Sequence, residues 1–183
     1  FMPATMLELS RAAGFSHQSV RDLSLLSALT DFLIVQPCNA LEAKKLLEFC
    51  VYEASESCAL RLNIGLSPTN IKLPEQYTLR KGFGVPLAPG KDAALISYGP
   101  VMLTEALFAK DILSKENIDL EIINMPWLNF CNSEWLSDLL SRHKNIFTLE
   151  DHAPQGGLGD LLKREIFKNN LNQGIKMKSF AVE

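Results

Sequence analysis

The chain has 183 residues, 47% of them hydrophobic and 21% charged, with a formal net charge of −3. Collagen-like and disordered classes are excluded by that apolar content beside ordinary Gly and Pro counts of 10 and 9. No apolar run approaches the ~20 residues of a membrane helix, and 21 acidic against 18 basic side chains argue against non-specific nucleic-acid binding.

The length fits one domain of ordinary size or two small ones. Cys38, Cys50, Cys58 and Cys131 are scattered, with no CxxC pair and no His at ligand spacing. They read as buried, reduced thiols of a cytoplasmic protein without a metal site. Residues 1–9 are apolar but lack a basic leader and a small-residue cleavage site, so no secretory signal is read there. The chain opens on Phe1, not Met, and upstream sequence is expected.

Short β-rich runs alternate with helical periodicity, the signature of α/β architecture. Residues 20–29 read as a helix with Leu23, Leu26 and Ala28 inward. Residues 32–35 form a continuous apolar run closed by Pro37, hence a buried strand. Asn39 is a suitable N-cap for a helix over 41–54, with Ala43, Leu46, Leu47, Cys50, Val51 and Ala54 on one face and Glu42, Lys44, Lys45 and Glu48 toward water. A strand over 58–64 follows. Residues 66–90 carry Pro68, Pro74, Pro86 and Pro89 without sustained periodicity, and read as a linker with a short strand near 83–87. A second series then alternates strand 93–98, helix 101–114, strand 120–124, a helix from Ser133 (its cap) to 141, strand 145–149, helix 156–168 and strand 175–182. Such units give a mostly parallel sheet with helices on both faces. The second series is complete enough to bury a core, whereas the first, with two strands and two helices, is a piece of something larger.

Three histidines can be weighed. His17 sits in a polar, Gly-flanked turn before a helix, where imidazole can donate to a substrate oxygen or shuttle a proton, or simply be solvated. His143 at a helix C-terminus reads as a favourable dipole contact, and His152 as a loop residue. Gly156, Gly157 and Gly159 open a helix after a strand, but without the full phosphate-binding spacing they read as a tight turn with close helix packing. There is no Walker lysine, GxSxG elbow or Cys–His pair. Arg61 stands out in an apolar strand, because a buried guanidinium must end the strand at a rim or pair with an anion.

Taken together these segments resemble the later half of a transketolase-type thiamine-diphosphate enzyme. The run Gly14-Phe15-Ser16-His17-Gln18-Ser19-Val20-Arg21-Asp22-Leu23 resembles that family's G-x-S/T-H-Q-S-x-x-D-I turn. LIVQPCNALE over 33–42 is similar to its strand, Pro, Ala/Cys-Asp/Asn, x-x-E step, and Leu60-Arg61-Leu62 to its strand arginine. Residues 92–99, Asn124-Met125-Pro126-Trp127, and Leu149-Glu150-Asp151-His152 with Gly156–Gly159 resemble later motifs in the right order. The similarity covers about residues 14–170. It looks most like the C-terminal subunit of split transketolases, with deoxyxylulose-phosphate synthases and oxo-acid dehydrogenase β subunits as relatives.

The resemblance implies a trailing part of a pyrimidine-binding domain at 1–66, a linker at 67–90 and a complete transketolase C-terminal domain at 91–183. It implies transfer of a two-carbon ketol unit between sugar phosphates, in the pentose phosphate pathway, with thiamine diphosphate and a divalent cation such as Mg. The cofactor-activating glutamate and the diphosphate site would lie on an N-terminal half or subunit, so the chain alone is expected to be inactive. His17 matches the histidine that contacts the sugar near its reacting carbons, and Arg61 the arginine that binds substrate phosphate. Ala13 and Arg21 depart from the acidic residues usual there. A non-catalytic docking module is the competing reading. A homodimer is expected, because a half domain should leave 32–35 and 59–64 incompletely covered, with the Gly156–Gly159 turn and the linker near the contact. Neither nucleic acid nor membrane is expected as a partner.

Overall fold

In the computed structural model, residues 19–63 and 67–182 are described. The first helix, α1 (Asp22–Leu26), buries Leu23 and Leu26 as expected, but it ends before Ala28, which is exposed. Asp31 takes a left-handed φ of 51° and turns the chain into β1 (Phe32–Val35). A crossover through α2 (Ala40–Tyr52) leads to β2 (Ser57–Leu60), which pairs in parallel with β1 from Phe32↔Ser57 to Val35↔Leu60. β2 is shorter than the expected 58–64 strand, and Arg61 lies just past its end.

Asn39 caps α2 by accepting from the Glu42 amide at 2.9 Å. The expected faces of α2 need correction. Glu42 is fully buried, while Leu47 and Val51 are exposed. β1 is also better covered than expected. Leu33, Ile34 and Val35 are buried, and the free edge of β1 is met by residues 126–129. There the Gln36 amide donates to Pro126 O (2.9 Å), the Leu128 amide to Ile34 O (2.9 Å), and Val35 bridges Trp127. The Asn129 side chain completes the edge, accepting from Ile34 N (2.9 Å) and donating to Phe32 O (2.7 Å).

The second sheet has strand order β3-β5-β4-β6-β7. β3 (Val85–Ala88) is the short strand expected near 83–87 within the linker stretch, and it pairs antiparallel with β5 (Leu120–Asn124). β4 (Ala93–Ser97), β5, β6 (Asn145–Leu149) and β7 (Lys176–Phe180) run parallel. β4 and β5 are buried at every residue, as central strands covered on both faces must be. The crossovers are α3 (Pro100–Lys115), α4 (Ser133–Arg142) and α5 (Leu158–Lys168). The N-cap of α4 is Asn132, accepting from the Glu134 and Trp135 amides, not the expected Ser133.

From β4 the chain steps one way to β5, then returns past β4 to β6 and β7. Right-handed crossovers therefore put α3 on one face and α4 with α5 on the other. The core divides accordingly. One cluster joins Ala94, Ile96 and Ile146 to Leu136, Leu140, Leu158 and Leu162, and the other joins Ala93, Leu95 and Ile122 to Leu103 and Ala106. The direction of winding switches between β4 and β6. In open α/β sheets the crevice beyond the strand ends at such a point is where ligands bind.

Candidate functional site at the strand ends

The loops leaving β4 and β6 place Tyr98, Gly99 and Glu150-Asp151-His152 at this switch point. The first unit contributes Asp22 from α1, Gln36 from the end of β1 and Arg61 from the end of β2. Arg61 fills the crevice. Its Nε donates to Asp22 Oδ2 at 2.6 Å, Nη2 to Asp22 Oδ1 at 3.3 Å, and Nη1 to Gln36 Oε1 at 2.7 Å and Asp151 Oδ1 at 2.9 Å. The side chain is 0% exposed, with its guanidinium carbon 5.9 Å from the Tyr98 ring centre. Burial works against its charge, but Asp151 and Asp22 outweigh it and hold its pKa above the ordinary value. Gly99, at φ 67°, admits the Gln36 side chain where a Cβ would collide with it. Gln36 Nε2 then reaches Asn63 Oδ1 at 3.0 Å.

Arg61 thus pairs with anions at a rim position, as its residue type requires. Its anions are the chain's own Asp22 and Asp151, and it presents no open face to a substrate phosphate. Within this chain its charge is therefore met by the two carboxylates and Gln36. The partners are 39 and 90 residues away in sequence, so no local pattern announces them.

Glu150 carries the second feature of the site. Its carboxylate accepts from the Leu158 amide at 2.6 Å and the Gly159 amide at 3.0 Å, so the N-terminus of α5 is filled from within. A Cβ on Gly157 would strike this carboxylate, and one on Gly159 would meet Ser179 and Thr148. The glycines serve close packing, as read from the sequence, and leave no cradle for phosphate at this end. Burial raises the Glu150 pKa to about 7 against the two amide bonds that favour its charge.

His152 lies in the loop after β6, as expected, and is buried there. Its Nδ1 faces Ala153 O at 2.7 Å and its Nε2 accepts from Ser24 N at 3.4 Å, a pattern that assigns the proton to Nδ1. Burial lowers its pKa, favouring the neutral ring. Ala153 N donates to Val20 O at 2.7 Å, so the loop after β6 carries the segment that leads into α1. His143 is likewise more than a dipole contact. It is buried, with Nε2 2.5 Å from Glu121 Oε2, which also accepts from Arg142 at 2.9 Å.

A second buried seam was missed from sequence. Glu42 accepts from the Cys38 amide (2.7 Å), the Tyr77 hydroxyl (2.7 Å) and Asn124 Nδ2 (2.8 and 2.9 Å). The Asn39-x-x-Glu42 spacing, that of a capping box, was the available signal. It joins α2 to the Asn124-Met125-Pro126-Trp127 corner, where Trp127 is buried edge-on to Phe49 at 5.2 Å.

His17 and the turn from Gly14 lie outside the described residues. Arg21 is exposed and lines an open cleft of about 380 Å³ with Ser24, Gln155, Asp160 and Arg164. Among the described residues no group of three or more His, Cys, Asp or Glu side chains is arranged to hold a metal ion. Cys38 and Cys131 are buried free thiols as expected, while Cys50 and Cys58 are half-buried. No helix among the described residues is long and apolar enough to cross a membrane.

Comparison with known proteins agrees with this architecture. The family model for the transketolase C-terminal domain matches residues 82–179. The chain is similar to 1-deoxy-D-xylulose-5-phosphate synthase of Lysinibacillus sphaericus, 29% identical over 151 residues covering 81% of this chain and 23% of the relative. It is 28% identical to the synthase of Halothermothrix orenii over 172 residues, covering 93% and 26%. The fold resembles that of a split-gene transketolase in an inactive beta4 tetramer, with a TM-score of 0.81, 24% identity and coverage of 92% of this chain and 54% of the other. It also resembles a transketolase from Campylobacter jejuni, with a TM-score of 0.65, 16% identity and coverage of 92% and 24%. The chain spans about a quarter of the length of the curated relatives it matches. With the family model spanning more than half of its residues, over the strand–helix series built around this switch point, the chain belongs to the transketolase C-terminal domain family.

Proposed function

We propose that this chain forms the C-terminal part of a thiamine-diphosphate-dependent enzyme that moves a two-carbon ketol unit between sugar phosphates. An N-terminal half or subunit pairs with it and supplies the cofactor-activating glutamate. In this reading residues 1–66 are the trailing part of a pyrimidine-binding domain, 67–90 connect it to the second sheet and lend it β3, and 91–183 are the C-terminal domain. The observation that carries the reading is the joining of the β1–α2–β2 unit to the family domain through Arg61 at the switch point.

The described residues do not fit a diphosphate–cation site. The α5 amides are engaged by Glu150, and no trio of metal-ligating side chains is assembled among those residues. In this reading cofactor chemistry, the carbanion step included, belongs to the pairing half. This chain's own contribution is substrate positioning. His17 contacts the sugar, and Asp22, five residues on, is fixed by Arg61, so that Arg61 is a positioning residue for the His17 segment.

A second reading is favoured by the curated relatives, which are 1-deoxy-D-xylulose-5-phosphate synthases. One experiment separates the two. The chain is co-purified with the N-terminal half encoded beside or before it, then supplied with thiamine diphosphate, Mg and substrates. Ketose-phosphate exchange supports the first reading, formation of 1-deoxy-D-xylulose 5-phosphate supports the second, and neither product overturns both. The chain alone should show no micromolar binding of thiamine diphosphate by titration calorimetry.

A further inference from the structure

Two of the thiols belong to one local unit and meet within it. Cys50 stands in the last turn of α2, and Cys58 is the second residue of β2. Residues 53–56 alone connect the two elements, and they reverse tightly, with the Glu53 and Ala54 amides both donating to Phe49 O at 2.9 Å. Glu56 in this connection is anchored by an ion pair with Lys81. The end of α2 is thereby drawn down onto the start of β2. Cys50 and Cys58 pack, together with Phe49, against the same core cluster. The Cys58 thiol donates to Glu56 O at 3.5 Å, which orients its sulfur.

The two side chains act on each other directly. Burial first, and then a side-chain hydrogen bond with Cys58, push the Cys50 thiol up to about 12. The other two cysteines have different neighbours: Cys38 lies beside Glu42 and Tyr77, and Cys131 beside Glu165. Both sulfurs of the pair, and the turn between them, fall within residues 49–58, so the juxtaposition is set locally.

We propose that Cys50 and Cys58 form a reversible dithiol–disulfide pair, oxidised by a low-molecular-weight disulfide of the glutathione type. The inference goes beyond the reaction proposed above and does not rest on it. The Cys58 thiolate attacks one sulfur of the oxidant, expels a small thiolate and becomes a mixed disulfide. Capping Cys58 removes its part in holding the Cys50 proton. Cys50 then loses that proton to solvent, attacks the Cys58 sulfur and releases the second small thiol. Two cysteine thiols have given up two protons and two electrons, and one small disulfide has become two thiols. The new bond closes the loop 50–58 and ties the last turn of α2 to β2, three residues before Arg61. Closing a loop of that size should raise the urea midpoint by about 1 M.

The test is incubation of the 183-residue chain with about 1 mM oxidised glutathione at about pH 8, then alkylation and trypsin. No Lys or Arg lies between Lys45 and Arg61, so both cysteines fall in the peptide 46–61. The expected product is that peptide with two hydrogens lost and no alkyl group, returned by dithiothreitol to two alkylated thiols. Cys50→Ser should stop ring closure and leave glutathione on Cys58. The oxidised wild-type chain should unfold about 1 M higher in urea than the reduced chain, while Cys50→Ser and Cys58→Ser should show no such gain. Far-UV circular dichroism checks that both variants are folded. A peptide 46–61 with both thiols still free, or with glutathione on both, overturns the proposal. So does a bond to Cys38 or Cys131, or a 50–58 bond that fails to raise the midpoint, since the thiols would then meet only by distorting the fold.

Discussion

Replacing Arg61 by Met keeps most of the side-chain volume and removes the charge. Asp22 and Asp151, 8% and 3% exposed, would then face each other without a cation, and Gln36 Oε1 would lose its donor. Breaking a buried ion pair by removing one partner costs about 3–5 kcal/mol, because the remaining charge stays desolvated. Against a total stability of about 5–15 kcal/mol, that is a large fraction. With a urea m-value of about 2 kcal/mol/M, the midpoint should fall by about 1.5–2.5 M. A triple variant, Arg61→Met with Asp22→Asn and Asp151→Asn, removes the stranded charges and should recover more than half of the loss. Urea titration followed by tryptophan fluorescence is a suitable assay, since Trp127 lies where residues 126–129 close the edge of β1. A midpoint shift below about 0.5 M, or a triple variant no more stable than the single one, would refute the reasoning. If Arg61 instead faced substrate phosphate, its loss would raise KM and leave the midpoint in place.

Three further outcomes are expected. Glu150 has its pKa raised to about 7 in the folded chain, so the native state binds the extra proton and stability falls as pH rises from about 4.5 through 7. Glu150→Gln should therefore gain on wild type by about 2–3 kcal/mol between pH 5 and 8, and a difference that stays flat with pH, measured by urea unfolding, would contradict the buried carboxylate. His152, held neutral, acts in the opposite direction below its ordinary pKa but cancels in that comparison. Gly159→Ala brings a Cβ against Ser179 Cβ at 2.9 Å and Thr148 Oγ1 at 3.0 Å, both on paired strands, and should cost about 1–3 kcal/mol, read as a lower Tm; an unchanged Tm would show that the helix can shift outward. In the enzyme reconstituted with its N-terminal half, His17→Ala should lower kcat/KM by about 10²- to 10⁴-fold, and a loss below about threefold would return His17 to a plain turn residue.

What the sequence determined by itself was the series of elements. Continuous apolar runs at β1, β4 and β5, the Asn39 cap, and the periodic stripes of α4 and α5 are local signals, set by side-chain period and backbone chemistry over a few residues. Even Arg61 announced itself as a residue that had to find an anion. Tertiary structure alone decided which anions these were, since Asp22 and Asp151 reach Arg61 only when the ends of two sheets meet. The same holds for Glu42, whose alternation with Lys44 and Lys45 reads as a wet face until Tyr77 and Asn124 arrive from 35 and 82 residues away. It holds for the edge of β1, which residues 126–129 cover, and for the partner of β3, a strand legible near 83–87 whose antiparallel pairing with β5 was not. Burial of a polar group is repaid by partners brought in through the fold, and a linear pattern records the group without recording its partners.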